Sequence, residues 1–82
     1  MDKNFFTING AVNRSGKYSF VEGDELSDAI ELARGLNPAY ENVKLAQIKR
    51  LSYDGLNQET INVNIKDNHI LNRGDQVIIL AD

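Results

Sequence analysis

The chain contains no cysteine and no tryptophan, and only one proline, one methionine and one histidine among its 82 residues. Without cysteine there is no disulfide, no thiolate nucleophile, no cysteine-ligated zinc and no iron–sulfur cluster. That absence does not assign a compartment, since a cysteine-free chain tolerates both cytoplasm and periplasm. His69 has no partner at metal-ligand or acid–base spacing and reads as a loop residue, so no metal is expected. A basic excess is also missing. Nine Lys and Arg stand against twelve Asp and Glu, a net charge of −3, which argues against sequence-independent nucleic-acid binding. There is no glycine-rich phosphate loop. Asp24 and Asp28 fall at a helix start and not in a cleft, so paired-carboxylate glycosidase chemistry is not supported. The opening Met-Asp-Lys-Asn-Phe-Phe has no apolar run able to target or span a membrane. If the parent protein is exported, this chain is expected to be an excised fragment, with Met1 an added or fortuitous residue.

What is present is ordinary for a small globular unit: 41% hydrophobic and 26% charged residues, with clear apolar periodicity. Residues 1–82 are expected to form one domain. Residues 5–12 alternate, with Phe6, Ile8, Gly10 and Val12 on one face, and read as a strand. Asn13-Arg14-Ser15-Gly16 is turn chemistry, with Gly16 expected at positive φ. Residues 17–21 form the return strand of a hairpin, Tyr18 and Phe20 sharing a face. Asp24 is expected to cap a helix over residues 25–34, where Leu26, Ala29, Ile30 and Ala33 make one apolar stripe and Gly35 sits at C′ ahead of Pro38. The carboxylates Glu22, Asp24, Glu25, Asp28 and Glu31 are read as favouring that helix start, with a cation or basic-partner site as the alternative. A third strand over 43–53 is ambiguous in phase, with Ile48 expected inward. Asp54-Gly55 signals a hairpin. Ile61, Val63 and Ile65 alternate with Asn62 and Asn64, residues 67–73 make a loop or single turn, and Gly74-Asp75 opens a last strand.

The order ββ-α-ββ-β predicts an α+β fold, a β-grasp: a mixed sheet of about five strands with one helix packed across one face. The last strand pairs parallel with the first. The expected core is Ile8, Val12, Phe20, Leu26, Ile30, Ala33, Ile48, Val63, Val77 and Ile79. Gly10 is assigned to close backbone approach within the strand, under the helix, Gly16 and Gly74 to turns, Asp28 to free N–H groups of the first helical turn or a neighbouring loop, and Asp75 to bracing the Gly74 turn.

Three runs resemble the soluble-ligand-binding β-grasp (SLBB) domains of bacterial polysaccharide export proteins. Ile8-Asn9-Gly10-Ala11-Val12-Asn13-Arg14-Ser15-Gly16-Lys17-Tyr18 is similar to the family's opening strand–turn–strand. Leu26-Ser27-Asp28-Ala29-Ile30, with Ala33-Arg34-Gly35-Leu36, is similar to its helix. Leu71-Asn72-Arg73-Gly74-Asp75-Gln76-Val77 is similar to its closing turn. Ser15 and Arg73 stand where the family often has proline, and Arg34 replaces a common glycine. The resemblance implies a non-enzymatic ligand-binding or assembly module of a capsule or exopolysaccharide export protein. It implies a parent associated with the periplasm and outer membrane, and partners that are polysaccharide or further SLBB subunits of an export ring. No cofactor is expected; the alternative is a cobalamin-type SLBB domain. Chain composition disfavours the remaining β-grasp classes: ferredoxins need cysteine, sulfur carriers a Gly-Gly end, and RNA-binding appendages a basic face.

Candidate contact residues are few. The tip Asn13, Arg14 and Ser15 is polar and offers a bidentate donor in Arg14; a solvated turn is the competing reading. Lys49 and Arg50 form the only adjacent basic pair and could meet an acidic polysaccharide or a partner, or simply discourage edge aggregation. Tyr40 and Tyr53 are the only aromatics placed on loops. Phe5, Leu45, Leu51, Ile78 and Leu80 are expected on the sheet face away from the helix, a candidate partner surface.

Overall fold

The computed structural model describes residues 4–81; residues 1–3 and 82, Met1 among them, lie outside the described residues. Its elements are β1 (Phe5–Gly10), β2 (Gly16–Ser19), α1 (Leu26–Leu32), β3 (Leu45–Leu51), β4 (Gln58–Asn64), a 3₁₀ turn (Ile65–Asp67) and β5 (Gln76–Ile79). The sheet order is β2-β1-β5-β3-β4. β1 pairs parallel with β5, while the β1–β2, β3–β4 and β3–β5 pairs are antiparallel. This is the β-grasp arrangement. Its central strand is contributed by the last segment of the chain, and the α1 crossover supplies the connection that parallel pairing needs.

Alternation along the strands sends Phe6 and Ile8, Ala46 and Ile48, and Val77 and Ile79 to the helix side, where each is essentially inaccessible. Leu26, Ala29 and Ala33 of the helical stripe close over them. Nine of the ten expected core residues are buried, and Ile30 is the exception, half-buried at the rim of the cluster. The core also takes Phe6, Ala11, Ala29, Ala46 and Leu71. Ala11 joins Val12 inside because strict alternation ends at Gly10, whose φ of 95° turns the chain so that two successive side chains face inward. Phe6 and Tyr18 stack with ring centroids 6.0 Å apart.

Several local expectations are corrected. The helix is Leu26–Leu32, shorter than residues 25–34. Its N-cap is Glu25, not Asp24, and the Glu25 N–H donates to Asp28 Oδ2 at 2.8 Å, the return half of a capping box. Asp24 instead accepts from the Val21 N–H at 2.9 Å. The helix end is a Schellman motif: Gly35 N–H donates to Ile30 C=O at 2.8 Å and Arg34 N–H to Glu31 C=O at 3.0 Å. The left-handed C′ residue is therefore Arg34, at φ 68°, and Gly35 is C″. Gly16 does not take positive φ, unlike Gly10, Gly35 and Gly74. A Cβ on Gly16 would meet only the Tyr18 ring at 3.8 Å, an ordinary contact, so this turn does not require glycine. The Asp54-Gly55 turn sits within a longer loop, because β3 and β4 stop pairing at Leu51 and Gln58.

Candidate functional site

The two ends of the sheet carry different groups. At the Gly10 end, the β1–β2 turn folds onto the carbonyl end of α1. Asn13 N–H donates to Gly35 C=O at 3.0 Å, Arg14 N–H to Ala33 C=O at 2.8 Å, and Asn13 Nδ2 to Arg34 C=O at 2.7 Å. Asn13 thus takes up the carbonyls of the two residues that follow the helix cap, while Arg14 takes that of the cap residue Ala33. Tyr18 Oη donates to Arg14 C=O at 2.6 Å and holds the turn from its other side. The tip is exposed, as expected, but it is anchored and not a free solvated turn. Only the side chains of Arg14 and Ser15 remain for an outside contact.

Tyr40 belongs to the same end, since its neighbour Asn37 donates its N–H to Ala11 C=O at 3.0 Å. Tyr53 stands at the other end, beyond Leu51 of β3, and is fully exposed. The structure therefore does not bring the two loop tyrosines together.

At that second end, an open cleft of about 490 Å³ lies between the 52–57 loop and the 72–74 turn, lined by Glu22, Arg50, Tyr53, Asp54, Asn72 and Arg73 among others. The loop is closed on itself. Asp54 Oδ1 accepts from the Ser52 hydroxyl and, at 3.0 Å, from the Leu56 N–H. The Ser52 hydroxyl, followed by the Leu56 N–H, holds the Asp54 carboxyl below its ordinary value. This closure presents Tyr53 and Leu56 outward. On the opposite wall Arg73 Nη2 approaches Glu22 Oε1 at 3.4 Å, and its guanidinium lies 6.0 Å from the Phe20 ring centroid.

Arg50 reaches the floor of this cleft but is already committed. Its Nε and Nη2 donate to Asp75 Oδ1 and Oδ2 at 3.0 and 2.8 Å, and Nη2 also to Ile70 C=O at 3.3 Å. The hydrogen bond to Asp75 raises the Arg50 pKa further above its ordinary range. Asp75, only 1% exposed, additionally accepts the Asn72 N–H at 2.8 Å and so braces the turn before β5. The expected role of Asp75 is met, and Arg50 is the missing half of it. Strand parity carries the signal: Arg50 follows Ala46 and Ile48 on the helix side, as Asp75 precedes Val77 there. Lys49 faces the opposite side, paired in register with Gln76. The two basic neighbours consequently form no joint patch.

Gly74 takes φ 80° and donates its N–H to Phe5 C=O at 2.6 Å, seating this turn against β1. Gly10 does make a close backbone approach, but to β5 within the sheet and not to the helix: a Cβ there would fall on the Ile79 carbonyl oxygen. Asp28 is spent on the capping box and His69 is exposed, its carbonyl accepting the Leu26 N–H at 2.8 Å. Among the described residues there is no group of three or more His, Asp or Glu placed to hold a metal ion, and no helix long and apolar enough to cross a membrane. The sheet face away from the helix carries Leu45 and Leu51 exposed, with Phe5, Ile78 and Leu80 half-buried. Polar Asn9 and Gln47 flank Ile78 across the register, dividing the apolar residues into two ends. No protein-family model and no curated protein matches the chain.

Proposed function

We propose that this chain is a non-enzymatic binding and assembly module of the SLBB kind, working within a polysaccharide export protein of the bacterial envelope. The observation that carries the reading is where the three resembling runs fall. They occupy successive joints of one β-grasp: Gly10 against Ile79, the Asn13 turn on the carbonyl end of α1, and Gly74-Asp75 locked by Arg50. Residues at such joints fix shape, which fits a module that contributes surfaces to a larger assembly. The divided apolar face and the separated tyrosines support assembly over tight capture of a single sugar, since a strong glycan site needs aromatic platforms beside hydrogen-bonding groups. Weak contacts of this type act through several copies at once.

Titrating the isotopically labelled chain with acidic and neutral oligosaccharides, followed by NMR, tests the reading. Small, non-saturating shifts confined to the cleft at Tyr53 and Arg73 are expected. A saturable micromolar site around Tyr40 or Tyr53 would replace the assembly reading with a sugar receptor.

A further inference from the structure

The outer edge of β4 is open: among the described residues no strand pairs with it. The phase of its hydrogen bonds is fixed at both ends of the β3–β4 ladder. Ile65 N–H donates to Lys44 C=O at 2.9 Å, and Ser52 N–H to Asn57 C=O at 2.7 Å. In an antiparallel ladder the bonded and non-bonded pairs alternate. Glu59, Ile61 and Val63 therefore aim their backbone groups at β3, and Gln58, Thr60 and Asn62 aim theirs outward.

Natural edges are normally blunted by shortness, charge, proline or a bulge. The other edge of this sheet, β2, is short at four residues and carries Lys17. β4 runs for seven residues without proline, glycine or lysine. Its one charge, Glu59, points to the helix side, where it acts on Arg50. On that side Ile61 is only half-buried, at the margin of the core.

We propose that two copies of the chain pair through β4, antiparallel, about a two-fold axis beside Ile61, making one sheet continuous across both. The strand is self-complementary in that register. Ile61 meets its own copy on the helix side, Thr60 stands opposite Asn62 on the other face, and Gln58 opposite Asn64. Glu59 lies opposite Val63, so no like charges are paired. Because Ile61 is the midpoint of Gln58–Asn64, this register engages the whole strand. An isologous contact closes at two copies and does not propagate. The interface is small, so the dimer is weak. This inference is independent of the polysaccharide reading.

Sedimentation equilibrium between about 20 µM and 2 mM spans the range for an interface below the standard size. The mass is expected to rise with concentration from 9.2 kDa toward twice that value. Thr60→Pro removes only an outward N–H and leaves the β3 ladder intact, and it should weaken association by about tenfold or more. In the unmodified chain, amide resonances of Gln58, Thr60 and Asn62 should move with concentration while those of β2 stay fixed. A mass that stays monomeric throughout overturns the proposal. So does association that a folded Thr60→Pro variant leaves unchanged, or concentration-dependent shifts at β2 or on the Leu45 and Leu51 face instead of β4. If Thr60→Pro does not fold, the amide pattern decides alone.

Discussion

Gly10 and Gly16 bracket the same hairpin turn and answer to different constraints. Gly10 combines a left-handed φ with direct apposition to the β5 backbone, so neither the conformation nor the space admits a side chain. Gly10→Ala should cost about 3 kcal/mol or more, from backbone strain plus overpacking against a carbonyl that cannot rotate away. Gly16 has neither constraint, and Gly16→Ala should change stability by less than about 0.5 kcal/mol. Denaturant melts of the two variants check both values, and equal losses would refute the distinction. Arg34 presents the inverse case, a residue with a Cβ held at φ 68° where the Schellman motif favours glycine. Its side chain is exposed, and the contact it makes to Asn13 runs through its carbonyl, which glycine retains. Arg34→Gly should therefore stabilise the fold by about 0.5–1 kcal/mol, the relief of left-handed strain exceeding the added unfolded-state entropy. A lower thermal midpoint for that variant would contradict the assignment of Arg34 to C′.

At the level of elements, the 52–57 loop makes a pH-dependent prediction. Its folded form favours the charged Asp54, so the contribution of that carboxylate is present above the unfolded carboxyl range and is lost as pH falls through the folded value. The carbon-detected titration of Asp54 should have its midpoint below that of an unperturbed aspartate, and Ser52→Ala should move it back up. The loop also illustrates what a sequence discloses. Element type and order followed from periodicity, because period-two runs such as Ile61-Val63-Ile65 and the stripe Leu26-Ala29-Ala33 answer directly to a buried face. Element ends did not, because they depend on partners distant in the chain. The carbonyls of Ala33, Arg34 and Gly35 that follow α1 are taken up by Asn13 and Arg14, and the first N–H groups of α1 go to His69 C=O and the Asn68 side chain, partners that no local pattern predicts. Contact residues were legible as residue types but not as groupings. Lys49 and Arg50 are adjacent in sequence and on opposite faces, while Arg50 and Asp75 are distant in sequence and bidentate in space.

For the molecule as a whole, the Arg50–Asp75 pair joins β3 to the turn that launches β5, and it stands where the two strands flank each other. Removing the carboxylate leaves a partly buried guanidinium and the Asn72 N–H without their acceptor. Asp75→Ala should cost about 3 kcal/mol, the low end for a broken buried pair because the Arg50 side chain is 17% exposed. Asp75→Asn, which keeps an acceptor for Asn72, should cost less. Urea unfolding of the two variants tests the order, and a loss below about 1 kcal/mol for Asp75→Ala would show that the turn holds without the pair. The position of β5 between β1 and β3 decides how the sheet holds together. The β1–β2 and β3–β4 hairpins share no ladder with each other, and each pairs instead with residues 76–79 between them. The strand made by residues 76–79 is thus the keystone of the sheet: it is the one strand through whose ladders the two hairpins are joined among the described residues.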